Sequence, residues 1–125
     1  LIHMVKGRKI TGGKYRDFRK KKKHSLEGIP RKVKLRETKQ KTIKGRGKTI
    51  KNVLLSTDKA NIIDPKAKKA KKATITNVLE TPSNRFLARQ NILVKGAIIE
   101  TDIGKAKITN RPSQEGSVQA VLVQE

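Results

Sequence analysis

The stretch Asn91-Ile92-Leu93-Val94-Lys95-Gly96-Ala97-Ile98-Ile99-Glu100-Thr101-Asp102-Ile103-Gly104-Lys105-Ala106-Lys107-Ile108-Thr109-Asn110 decides the fold class. Its aliphatic and β-branched residues fall in short runs separated by turn residues, which is the pattern of strands. Residues 91–101 read as two strand-like pieces with a bulge or tight bend at Gly96. Asp102-Ile103-Gly104 reads as a hairpin connection in which Gly104 supplies positive φ, and residues 104–110 form the returning strand.

Working outward, residues 117–124 give a last strand, after a longer loop from Asn110 to Gly116. Upstream, residues 73–80 and 49–57 are β-branched runs, and residues 61–64 end at the turn signal Asp64-Pro65. Residues 33–44 alternate loosely. Roughly six strands, with turns about every 8 to 12 residues, predict an all-β barrel or sandwich. One short helix interrupts them near 82–90, with Thr81 as N-cap, Pro82 in the first helical position, and Phe86 and Leu87 packing inward. It sets Arg85 and Arg89 four apart on one face. The run Pro65-Lys66-Ala67-Lys68-Lys69-Ala70-Lys71-Lys72-Ala73 has nothing larger than alanine to bury, so a mobile Lys-rich loop is expected at 65–73.

The charge is what demands explanation. Of 125 residues, 32 are Lys or Arg and 10 are Asp or Glu, a net of +22. Residues 1–52 hold 20 cations against three acids (Asp17, Glu27, Glu37), a net of +17, and residues 53–125 hold 12 against seven, a net of +5. A basic arm over residues 1–30 is therefore expected ahead of a body over 31–125 of nearly ordinary charge. The arm has no apolar period, adjacent Gly12 and Gly13, and the cluster Arg19 to Lys23. It should be extended or disordered when free and ordered on binding a polyanion, whose neutralising charge offsets the lost chain entropy.

Several function classes are poorly supplied. With no cysteine, a disulfide scaffold, a thiolate metal site and a thiol nucleophile are excluded. The histidines, His3 and His24, both fall in the arm, and no His/Asp/Glu spacing suggests a metal site, so neither metal, cofactor nor small-molecule substrate is expected. Gly45-Arg46-Gly47-Lys48-Thr49 ends like a phosphate-binding loop, but the first glycine of that motif would fall at Thr42 and a strand follows. An enzyme is not expected. No apolar run reaches the roughly 20 residues of a membrane helix. Met4 is read as the natural start, with no secretory leader before it, and a soluble intracellular protein is expected.

Nucleic acid is the partner that fits. Cations and exposed amides suffice for phosphate contact, whereas three aromatics, Tyr15, Phe18 and Phe86, are too few for a single-strand reading surface. Gly12 and Gly13 let the backbone come close to a folded RNA while Arg16 and Arg19 fork onto phosphates. Composition leaves architectural DNA binding open.

Lys9-Ile10-Thr11-Gly12-Gly13-Lys14-Tyr15-Arg16, followed by cations, resembles the N-terminal signature of the archaeal and eukaryotic "e"-type small-subunit ribosomal protein eight family. The similarity continues in order through Glu37-Thr38-Lys39, Lys44-Gly45-Arg46-Gly47 and Asp64-Pro65 with its lysines. It then runs through Asn84 to Ile92, Lys95 to Thr101, and Ile108-Thr109-Asn110-Arg111-Pro112. The chain departs from the family at Lys48, often glycine there, and at Gln90, often arginine. The short form resembles archaeal members. The resemblance implies a small β-barrel of six or so strands with an extended basic arm, a structural constituent of the small ribosomal subunit that binds folded rRNA. An assembly factor of the same domain family, or an architectural DNA-binding protein, is the alternative. The implied partners are small-subunit rRNA and neighbouring ribosomal proteins, with a monomer in the cytoplasmic ribosome and no membrane. The expected RNA contacts are Lys9, Thr11, Gly12, Gly13, Lys14, Arg16, Arg19, Lys20, Lys21, Lys22 and Lys23 in the arm. In the body they are Arg46, Lys48, Lys51, Lys68, Lys69, Arg85, Arg89 and Arg111.

Overall fold

Alternating burial along short strands organises the body. The computed structural model describes residues 7–16 and 19–123. Readings placed on His3, Met4, Asp17, Phe18 and the final strand residue Gln124 lie outside them. The chain divides after Pro30 into two units.

In the first unit no described residue is buried. Its order is local. Gly12 adopts φ +82, Lys9 N–H donates to Gly13 O at 2.9 Å, and an isolated bridge joins Arg8 to Lys14. The Arg8 guanidinium also donates to Gly12 O at 2.8 Å. The glycine pair therefore makes a tight turn of the Lys9-to-Lys14 signature. A 3-10 turn follows at Lys23–Ser25.

The second unit contains β1 (Val33–Leu35), β2 (Lys39–Lys44), β3 (Ile50–Thr57), β4 (Lys59–Asp64), β5 (Lys69–Glu80), α1 (Arg85–Arg89), β6 (Ile92–Leu93), β7 (Ile98–Thr101), β8 (Gly104–Ile108) and β9 (Gln119–Leu122). Strands β4-β5-β7-β8-β9 close into a barrel, and β2-β3-β1-β6 form a four-stranded sheet. The barrel's neighbours are antiparallel except β4 and β9, which run parallel. A closed ring with an odd number of strands requires at least one parallel pair, and this is it. Only Asp58 separates β3 from β4, so the ribbon passes from sheet to barrel at one bend, where Asp58 O accepts Ile75 N–H at 2.8 Å.

The barrel and its hairpins agree with the sequence. Gly96 makes the bend between β6 and β7 at φ +83, and residues 102–103 turn β7 into β8 with Gly104 at φ +144. More strands are present than the six or so expected: β6 and β7 are the two pieces read at 91–101, whereas 33–44, read as one loosely alternating stretch, divides into β1 and β2.

Two expectations need correction. The loop expected at 65–73 is a turn only at residues 65–68, and from Lys69 onward the chain is already in β5. The register pairs Asp64 with Lys69, Ile63 with Ala70, Ile62 with Lys71 and Asn61 with Lys72. Pairing to β4 satisfies the backbone and overrides the weak strand preference of lysine and alanine. The second correction concerns the helix. Its N-cap is Asn84, extended at φ −164, whose Oδ1 accepts Phe86 N–H at 3.0 Å. Asparagine is a better cap than threonine. Thr81 and Pro82 lie in a preceding turn that Asn84 N–H closes onto Thr81 O at 3.1 Å. Thr81 is buried, and its hydroxyl has no hydrogen-bond partner among the described residues. Phe86 faces water at 55% exposure, while Leu87 and Ala88 are half-buried and Ala88 packs on the core.

A five-stranded ring is narrow, so its interior must mix small and large side chains. The register does this. Ala106 lies opposite Ile99, and Ala120 lies between Ile62 on β4 and Ile108 on β8. Ala60 pairs with Ala73. All of these residues are buried. Ala120→Leu should therefore overpack the ring and cost about 1 to 3 kcal/mol in a urea-unfolding measurement on the full chain. Thr81→Val should leave stability unchanged or raise it by up to about 1 kcal/mol, because it removes a buried hydroxyl without a partner. A loss of about 1 kcal/mol in the same measurement would restore Thr81 as the cap.

Candidate nucleic-acid interface

Hairpin tips, a short helix and one loop carry the candidate cations of the body. Between β2 and β3, Gly45 N–H donates to Thr49 O at 2.8 Å, and Gly47 turns the chain at φ +64. Arg46 and Lys48 flank that glycine at the tip, and Lys51 follows on β3 opposite Ile43. A strand lies on both sides, so the segment has the context of a hairpin and not of a nucleotide-binding loop.

At the β4–β5 tip, Asp64 Oδ1 accepts Lys66 N–H at 3.0 Å and Ala67 N–H at 3.3 Å. This Asx-type turn delivers Lys68, in the left-handed region at φ +50, and then Lys69 at the head of β5. A lysine where glycine would be relaxed carries a local conformational cost. On α1, Arg85 and Arg89 are both exposed, and the Arg85 guanidinium lies 5.4 Å from the centre of the Phe86 ring. Arg111 is exposed at the start of the loop between β8 and β9. Asn110 fixes that loop, donating to Glu115 Oε2 and Ser117 O at 2.6 and 2.7 Å and accepting Gln119 N–H at 3.0 Å.

The structure thus groups Arg46, Lys48 and Lys51 on one hairpin, Lys68 and Lys69 on another, and Arg85 with Arg89 on the helix, with Arg111 apart. In the arm, Lys9, Thr11, Gly12, Gly13 and Lys14 share the tight turn, and Arg16, Arg19, Lys20, Lys21, Lys22 and Lys23 are exposed. Lys21 Nζ is 3.8 Å from a Glu27 carboxylate oxygen. The side chains of Arg46, Lys48, Lys51, Lys68, Lys69, Arg89 and Arg111 make no ion pair or hydrogen bond among the described residues. Three of the body's acids are engaged with neutral partners: Asp58 accepts the Thr38 hydroxyl at 2.9 Å, Asp64 holds its own turn, and Glu115 accepts from Asn110. With no partner among the described residues, those seven cations face solvent and can meet an external anion.

Lys72 lies in the basic run 65–73, and the structure sets beside it Lys59, a candidate that the sequence does not single out. The register sets Lys59 opposite Thr74 and Asn61 opposite Lys72, so these neighbours share a face, and a shallow cleft there is also lined by Thr38, Thr57 and Ser117. The two lysines are 13 positions apart in sequence, and only the strand pairing brings them together. The outward Phe86, expected to pack inward, is likewise not legible in the sequence. No helix among the described residues is long and apolar enough to cross a membrane, and no group of three or more His, Cys, Asp or Glu among them is arranged to hold a metal. Relieving the left-handed lysine should show in stability: Lys68→Gly is expected to raise it by about 1 kcal/mol in chemical denaturation of the full chain.

Comparison with known proteins places this architecture. The sequence model of the family described as Ribosomal protein S8e matches residues 3–123. The small ribosomal subunit protein eS8 of Sulfurisphaera tokodaii is 46% identical over 119 residues, which cover 94% of this chain and 93% of that protein. The protein of the same name from Haloarcula marismortui is 47% identical over 117 residues, covering 94% of each. That of Methanococcus aeolicus is 44% identical over 119 residues, covering 94% of this chain and 93% of the relative. With a barrel, a basic arm and near-complete overlap with these relatives, the chain belongs to the ribosomal protein S8e family.

Proposed function

We propose that the chain is a structural constituent of the small ribosomal subunit, where it binds and stabilises folded rRNA and performs no catalysis. The observation that carries this reading is the near end-to-end match to relatives named as small-subunit ribosomal proteins. The unpaired cations support it physically. Arginine and lysine on hairpin tips and a short helix neutralise phosphates of adjacent rRNA helices, releasing condensed counterions. Such contacts read the shape of the RNA and leave its sequence unread. The partners are small-subunit rRNA and neighbouring ribosomal proteins, the place is the cytoplasmic ribosome, and the protein acts there as a monomer without membrane or small-molecule substrate.

The arm is the RNA-binding segment in this reading. Lys9, Thr11, Gly12, Gly13 and Lys14 present a tight turn to the RNA, and Arg16 with Arg19 to Lys23 add phosphate contacts. From the body come Arg46, Lys48, Lys51, Lys68, Lys69, Arg85, Arg89 and Arg111. The shared name of the relatives favours this reading over a DNA-packaging or assembly-factor role.

Sedimentation of an extract through a sucrose gradient, before and after a high-salt wash, tests it. The protein is expected to stay with the small subunit through the wash. Recovery with precursor particles or with chromatin would overturn the proposal. With purified components, the double variant Arg16→Ala/Arg19→Ala should lower the slope of log affinity against log salt by about 1 to 2 units. An unchanged slope would remove those two residues from the interface.

A further inference from the structure

The chain has no tryptophan, and after Phe18 its single aromatic residue is Phe86. That ring is not used by the core. The inward side of α1 is supplied by Leu87 and Ala88, both half-buried, and Ala88 packs against the core cluster. Phe86 remains 55% exposed even with the Arg85 guanidinium 5.4 Å from its ring centre. Arg89 lies three residues further on and so neighbours Phe86 on the helix surface. The backbone that carries the ring is anchored at the helix start, where Asn84 Oδ1 accepts the Phe86 N–H at 3.0 Å.

We infer that Phe86 is a stacking platform for an unpaired base of the RNA, with Arg85 and Arg89 taking the phosphates on either side of that nucleotide. The inference rests on the reading of the chain as an rRNA-binding protein and adds a contact that reaches a base. The chemistry favours a nucleotide over other occupants. A flat π-face stacks on any base, and a guanidinium plane does the same. Both arginines complement a negative backbone, which a neutral apolar partner surface lacks. A base within a regular duplex is closed to such a ring, so the target is a bulged or loop nucleotide. The contact carries little sequence preference, since every base presents a π-face.

Phe86→Trp provides a probe with no competing tryptophan signal. It is titrated in the full chain with transcribed archaeal small-subunit rRNA and, separately, with a fully paired RNA duplex. Quenching by the rRNA and not by the duplex is the expected result. Phe86→Leu keeps an exposed apolar side chain but removes the π-face, and it should weaken rRNA binding roughly tenfold with the salt slope unchanged. Arg85→Ala should instead lower the slope by about one unit. Unquenched fluorescence together with wild-type affinity of Phe86→Leu overturns the inference while leaving the rRNA-binding function intact. Quenching that appears only after other ribosomal proteins are added overturns it in favour of a protein neighbour, and equal quenching by the duplex overturns the unpaired base. Failure of the wild-type chain to bind the rRNA overturns the functional reading itself, and this inference with it.

Discussion

The parallel pairing of β4 with β9, running from Asn61 opposite Gln119 to Ile63 opposite Val121, closes five strands into a ring. Without it the barrel would be an open sheet with β4 and β9 as bare edges. Closure also fixes which residues can line the interior. Ala120 has to be small because Ile62 and Ile108 meet it from the two neighbouring strands. Once the ring is closed, outward positions are released from packing demands, and lysine can occupy them. A core of aliphatic residues and alanines thus supports a surface with far more cation than anion. Repulsion among those cations is limited by their placement at tips and exposed faces, where water and salt screen them.

The hairpin of β7 and β8 is written plainly in the sequence. Ile99 and Thr101 alternate with Glu100, Ala106 and Ile108 alternate with Lys105 and Lys107, and the glycines fall where φ is positive. β1 is not legible as a strand of its own, since three residues cannot display a period and its pairing is decided by distant partners. Lys69 to Lys72 read as loop because lysine has weak strand preference, yet β4 offers each of them a backbone partner. The helix is legible as a short helix, but its start is not, because Thr81-Pro82 is a good opening signal and Asn84 a better one in the folded geometry.

The candidate interface divides in the same way. Cations in runs or beside glycines are visible in one dimension, so the arm, the β2–β3 tip and the lysines at Lys68 and Lys69 could be named without a structure. Lys59 could not, since register alone sets it beside Lys72 of the basic run. Phe86 reads as a core residue in one dimension because an aromatic beside a leucine in an amphipathic helix is usually buried. Five residues of helix give only one inward stripe, and Leu87 with Ala88 fill it.

Ring closure has a kinetic side. Position 119 must find position 61 across the whole of β5, α1, β6, β7 and β8, so the pair that completes the barrel is among its most non-local contacts. Contacts of this kind form slowly, because a long stretch of chain has to be restricted before they contribute. Until then β4 presents Ile62 and Ile63 beside an unpaired edge, which is the profile of a self-associating strand. Lys59 on that strand and the lysines of β5 beside it give the open intermediate a charge that opposes pairing with another copy. The cations that suit the finished protein to an anionic partner would thus also keep its half-built barrels apart.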